Sequence, residues 1–155
     1  MCRLMVMGLG NILLSDEGAG IHLLSELKNH DLPIGTELVD AGTAGMNLLY
    51  LMEGVERLVI VDSICTDAEA GAIYRLTLQD IYECPPRLSI SFHQISLLDV
   101  LSQGIYLGKL PTALVIYGIQ PKSLDWGVEL SNEVKARLPK LAELVCRELW
   151  TLASS

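Results

Sequence analysis

Short apolar runs alternate along this chain with stretches whose hydrophobic residues recur at helical spacing. Arg3–Met7 is an apolar run closed by the turn Gly8-Leu9-Gly10, and it reads as a buried first strand. From about Asp16 the period changes. Ile21, Leu24 and Leu27 fall on one side of a helix, with Ser25, Glu26 and Lys28 between them. Ser15 or Asp16 is placed as the N-cap, so Glu17 enters the first turn, near the positive end of the helix dipole. Thr36–Asp40 (TELVD) reads as a second strand and Met46–Glu53 as a short helix. Arg57–Asp62 (RLVIVD) is a third strand, apolar on both faces as the middle of a covered sheet requires. Ala72–Leu78 alternates like an antiparallel edge strand, and Leu88–Phe92 leads into His93. A helix through Leu97, Leu98 and Leu101 follows, then a last strand over Thr112–Tyr117. Val128–Leu152 reads as a helix that Pro139 should kink or restart.

Strands alternating with helices predict an α/β fold: a three-layer sandwich with a mainly parallel, twisted five-stranded sheet flanked by helices on both faces. At 155 residues the chain is expected to form a single domain, residues 1–155, with no internal repeat or linker.

Composition narrows the function classes. Half the residues are hydrophobic and mean hydropathy is +0.39, enough to build a core without disulfides. Apolar runs are broken by Gly, Asp and Glu well short of the roughly 20 residues that span a membrane. The N-terminal run is followed by Asp16-Glu17 and lacks a small-x-small cleavage pattern, so it is read as a strand rather than a signal peptide. A net charge of −8 with no Lys/Arg cluster disfavours nucleic acid. Cys2, Cys65, Cys84 and Cys146 are scattered without a C-x-x-C pair, which suits buried thiols in a cytoplasmic protein.

Candidate chemistry collects at the ends of the apolar runs. An open parallel sheet gathers its strand ends into one crevice, and Glu17, Asp62 and His93 all follow such runs. Two carboxylates and an imidazole meeting there suit a divalent transition metal. Asp40 ends TELVD, and the backbone of Gly42 and the hydroxyl of Thr43 follow as possible holders of a carboxylate or carbonyl. His22, among polar neighbours on the first helix, is expected to be exposed. His30 suits a helix C-terminus as a cation. Gly8-x-Gly10 lacks the third glycine of a dinucleotide fingerprint, since Leu13 stands there, so these glycines are read as turn and packing residues. A Cys65–His93 hydrolase pair has no nucleophile elbow around it, and a serine triad has no G-x-S-x-G.

Taken together, GLGNILLSDEGAG (8–20), ELVDAGTAG (37–45), RLVIVD (57–62), SFHQISLLDVL (91–101) and YGIQPKSLDWGVELSNEV (117–134) resemble the hydrogenase maturation protease family, in order and spacing. The resemblance implies an endopeptidase that removes the C-terminal extension of a [NiFe]-hydrogenase large-subunit precursor. It implies that Glu17, Asp62 and His93 contact nickel already carried by that precursor, so the metal belongs to the substrate. Asp40 then matches a carboxylate of recognition or catalysis, and the catalytic set is Asp40, Glu17 and Asp62. Gln120 falls in the motif after Gly118. Two alternatives stand beside this reading. A non-catalytic nickel-sensing or chaperone module would carry the same trio. A peptidyl-tRNA hydrolase shares the Gly-x-Gly-Asn turn but expects an Asn and a His where Leu13–Glu17 stand, and a basic surface.

Overall fold

The computed structural model describes residues 2–83, 89–90 and 97–155. Strand β1 (Leu4–Leu9) pairs in parallel with β2 (Glu37–Gly42) on one side and with β3 (Arg57–Cys65) on the other. β3 pairs in parallel with β6 (Ala113–Ile119), and β4 (Ile73–Thr77) closes that edge antiparallel to β6. The resulting order, β2-β1-β3-β6-β4, is the expected five-stranded and mostly parallel sheet. β4 is its antiparallel edge, as the alternation of residues 72–78 predicts.

The apolar run that ends in His93 behaves differently. Its described part, β5 (Ser89–Ile90), is not a strand of the parallel sheet but pairs antiparallel with Ile64 and Cys65 at the tail of β3. A run of alternating apolar residues specifies a strand but not its direction or partner, which is why the sequence cannot separate these cases.

Helices cover both faces. Helix α1 (Ala19–Leu27) and helix α5 (Asn132–Ala153) enclose one core with Leu4, Val6, Val59, Val61, Val115 and Tyr117. Helix α2 (Leu48–Leu51) and helix α4 (Leu97–Tyr106) enclose the other with Met5, Met7, Leu58, Ile60 and Ile116. A short helix α3 (Leu78–Glu83) follows β4. The odd and even residues of the central strands thus serve different layers, the three-layer plan expected from their unbroken hydrophobicity. α5 begins at Asn132, where the Ser131 hydroxyl accepts the Val134 N–H, and continues through Pro139 without restarting. Its buried stripe of Val134, Leu138, Leu141, Val145 and Leu149 holds it to the sheet on both sides of the proline.

Glycines set how closely α1 approaches the sheet. A Cβ on Gly20 would lie 2.4 Å from the Val61 carbonyl oxygen and 2.6 Å from that of Leu9. One on Gly8 would lie 2.5 Å from the Gly20 carbonyl oxygen. Gly8 and Gly20 therefore bring the first turn of α1 onto the strand backbone itself, the packing role expected of the Gly8-x-Gly10 turn.

Candidate active site

Because the chain passes from β1 outward to β2 and then back across to β3, the reversal in strand order falls between β1 and β3. Crevices of open α/β sheets lie at the carboxyl ends of the strands beside such a reversal. Two acids are found there. Asp62 lies on β3, level with Gly118 of β6, and is only 1% exposed. Glu17 belongs to a 3-10 turn, Ser15–Gly18, that leads into α1, and is also 1% exposed.

The two carboxylates act on each other. Burial pushes the Asp62 carboxyl up to about 8; the Ser63 N–H, donated to Asp62 Oδ1 at 2.8 Å, opposes the rise, and the negative charge of Glu17 adds to it. A close pair of buried acids is costly unless a proton or a cation offsets the charge. The residue types suit a borderline divalent ion, since carboxylate oxygens and a neutral imidazole are both accepted ligands. His93 lies outside the described residues, as do Ser91 and Phe92 before it and Gln94 after it.

Asp62 does not end its strand, contrary to the sequence reading. Ser63, Ile64 and Cys65 continue β3, because the first two are buried and β6 extends alongside as far as Ile119. Likewise Asp40 is followed by two more residues of β2. Asp40 stands level with Gly8 of β1, which in turn stands level with Val61. Level residues on neighbouring strands point to one face, so Asp40 shares the α1 face with Val61, and Asp62 projects from the other. Two strand spacings, about 10 Å, separate the backbones.

Asp40 is also exposed. It lines a separate 260 Å³ pocket with Gly10, Asn11, Ile12, Ile21, Gly42 and Thr43. Its Oδ1 accepts the Gly42 N–H at 2.9 Å, an Asx-turn that fixes the carboxylate beside the left-handed Gly42. The structure thus brings Glu17 and Asp62 together and sets Asp40 apart from them.

Asp16 corrects the sequence reading most. Neither it nor Ser15 caps α1; the 3-10 turn intervenes and Gly18 occupies the N-cap. Fully buried, Asp16 instead accepts the N–H groups of Lys122 and Ser123 on Oδ2, at 2.9 and 3.0 Å, and that of Ser131 on Oδ1 at 2.7 Å. This carboxylate is the seat of the loop between β6 and α5. Gln120 does similar work nearby: its Oε1 accepts the Thr66 N–H and hydroxyl, which ties the residues after β3 to the end of β6.

His22 is half-buried rather than exposed, and its Nε2 is shielded from water with no hydrogen-bond partner. Cys65 is half-buried, and burial together with the charges of Asp62 and Glu17 raises its thiol pKa. An activated nucleophile needs the opposite shift, so a cysteine hydrolase centred on Cys65 is disfavoured. Cys2, Cys65 and Cys146 are free thiols.

Residues 21–148 match the family model described as hydrogenase maturation protease. The hydrogenase 2 maturation protease of Escherichia coli K12 is 34% identical over 95% of this chain and 90% of its own length. This chain belongs to the hydrogenase maturation protease family. A further relative, a hydrogenase expression/formation protein of Bradyrhizobium diazoefficiens, is 32% identical over 95% of this chain and 78% of that one. Among solved structures, the hydrogenase maturating endopeptidase of E. coli superimposes with a TM-score of 0.84 at 34% identity, covering 96% of this chain and 93% of its own. The [NiFe] hydrogenase maturation protease of Thermococcus kodakarensis gives 0.77 at 30% identity, covering 95% and 99%. The maturation protease is therefore a hydrolase, and its sheet is the sheet of its family. No helix among the described residues is long and apolar enough to cross a membrane.

Proposed function

We propose that this protease removes the C-terminal extension of a [NiFe]-hydrogenase large-subunit precursor in the cytoplasm, and that it tests for nickel already inserted in that precursor. The buried pair Glu17 and Asp62 carries the reading. Two buried acids of separate elements, close enough for the charge of one to raise the carboxyl of the other, are a poor arrangement for stability alone and a good one for meeting a cation. His93 completes the donor set on the grounds of the family motif. Nickel enters as part of the substrate, and its departure with the product leaves the protease ready for another precursor.

The chain's own residues then divide the work. Glu17, Asp62 and His93 contact the metal, and either carboxylate can hold a proton taken from the attacking water. The ion itself polarises the scissile carbonyl or lowers the pKa of that water. Asp40, on the opposite face of the sheet, acts on the polypeptide rather than on the metal, as a base or as a hydrogen-bond acceptor beside the left-handed turn at Gly42.

Incubation with nickel-loaded and nickel-free precursor tests the proposal by mass spectrometry. Loss of the extension from the loaded precursor alone is expected. Equal cleavage of both removes nickel from the reading, and tight binding without cleavage favours a nickel-sensing module over a protease.

A further inference from the structure

Residues 123–130 (SLDWGVEL) lie against residues 12–15, immediately before the acid Glu17. Leu14 and Gly127 form a parallel bridge, with the Ser15 N–H donated to the Gly127 carbonyl and the Gly127 N–H to the Leu13 carbonyl, both at 2.9 Å. The Ser15 hydroxyl donates to the Asp125 carbonyl at 2.8 Å, and the Asp16 carboxylate anchors both ends of the loop. The bridge sets Leu13 level with Trp126 and Ser15 level with Val128.

The bonding is firm, yet its outer side is apolar and open. Trp126 is 81% exposed, and Val128, Leu13 and Ile12 are exposed beside it. A tryptophan held outward on a fixed backbone is the usual anchor of a protein contact, since it buries a large area at little entropic cost. Ser15 adds a second sign of function. Its φ of +52° makes it the only non-glycine in the left-handed region among the described residues. Such a backbone persists where its surroundings enforce it, and it clusters at ligand clamps.

Charge indicates the occupant. Asp125 and Glu129 flank Trp126 and Val128, and residues 123–130 contain no Lys or Arg. Lys122, just before them, is occupied by Glu133 at 2.6 Å. A second copy of a chain with net charge −8 would set like charges against each other here.

We propose that this paired rim, residues 12–15 with 125–128, is where the hydrogenase precursor docks beside its scissile bond. An apolar side chain of the precursor covers Trp126 and Leu13, and a basic residue beside it meets Asp125 and Glu129. The inference rests on the precursor being the substrate, but not on its nickel.

Trp126 reports on its own burial. The chain has two tryptophans, and Trp150→Phe assigns their fluorine NMR signals in 5-fluorotryptophan-labelled protein. In the Glu17→Gln background, which retains the precursor uncut, the Trp126 signal is expected to shift when precursor is added. Trp126→Ser and Leu13→Ser are each expected to raise KM roughly tenfold or more, with a smaller effect on kcat. Added salt should raise the KM of the parent protein. Tyr50→Ala alters an exposed aromatic at the opposite end of the sheet and should leave processing unchanged. An unmoved Trp126 signal at concentrations where the two proteins co-sediment overturns the proposal. Parental KM in folded Trp126→Ser does so as well, and so does a dimer of the free protein that Trp126→Ser dissociates. Cleavage that ignores nickel but keeps its dependence on Trp126 sinks the nickel reading and leaves the rim standing.

Discussion

Asp62 gains nothing for the fold by being an acid. Its side chain is buried, its carboxyl is pushed up to about 8, and Glu17 opposes its charge. Asp62→Asn keeps the shape and the neutral state that a carboxyl titrating at about 8 already holds near pH 7, and it removes the repulsion at higher pH. Processing should be lost while the melting temperature holds or rises; a large fall in melting temperature would make Asp62 structural instead. Asp16, one residue before Glu17, should behave in the opposite way. Asp16→Ala takes the acceptor from three partly buried backbone N–H groups, at a cost of roughly 2–4 kcal/mol. Chemical denaturation is expected to show that cost alongside any loss of activity. Sequence reading separates these adjacent acids only in part. Glu17 and Asp62 are legible because an acid following an apolar run is conspicuous. The seat formed by Asp16 is not, because its partners are backbone groups 106 to 115 residues away and carry no side-chain signature. His22 differs from its sequence expectation for a related reason: its own helix shows polar neighbours, while the elements packed around that helix, α5 among them, come from elsewhere in the chain.

At the scale of elements, α1 reaches its site because Gly8 and Gly20 permit contact between backbones. Gly20→Ala asks for a Cβ within 2.6 Å of two carbonyl oxygens, neither of which belongs to a flexible side chain. The helix must lift, and Glu17 moves with its base. Overpacking of this kind costs about 1–3 kcal/mol and sometimes more. The expected result is a lower melting temperature together with impaired processing, whereas Gly35→Ala meets no neighbouring atom, strains only its own backbone at φ +84°, and should lower stability while sparing processing. Strand positions were readable from apolar runs, but their ends were not. β3 extends past Asp62 because Ser63 and Ile64 are buried against neighbours, and β2 extends past Asp40. A polar residue inside a strand looks, in sequence, like the end of one. The antiparallel pairing of Ser89–Ile90 was likewise invisible, since it depends on where β3 stops.

Across the whole molecule, a polar junction fastens α5 to the antiparallel edge. Arg75 of β4 donates Nε and Nη2 to Glu148 at 2.8 and 3.0 Å, and the Tyr117 hydroxyl of β6 donates to the same carboxylate at 2.8 Å. Arg75 above all holds the Glu148 carboxyl below its ordinary value of 4.5, with Tyr117 assisting. A lowered carboxyl contributes stability above its unfolded value and loses it as pH falls through the folded one. Glu148→Gln should therefore cost roughly 1–2 kcal/mol at neutral pH, a modest figure because Arg75 is half exposed. The difference from the parent should close as pH drops below about 4.5, and thermal melts across that range provide the check. A gap independent of pH would mean that packing, not charge, carries the junction. The layer order, by contrast, was available from the alternation of strand and helix patterns alone, because few topologies satisfy them.

The Asp16 seat also has a consequence in time. Its most distant donor, the Ser131 N–H, lies 115 residues further along the chain. At about 5–20 residues per second, a ribosome needs roughly 6 to 23 s to add that stretch. Until then the turn bearing Glu17 has no complete loop to close against. The turn before α1 is thus left open while everything from α1 to β6 is made, and it closes only once Ser131 has been added.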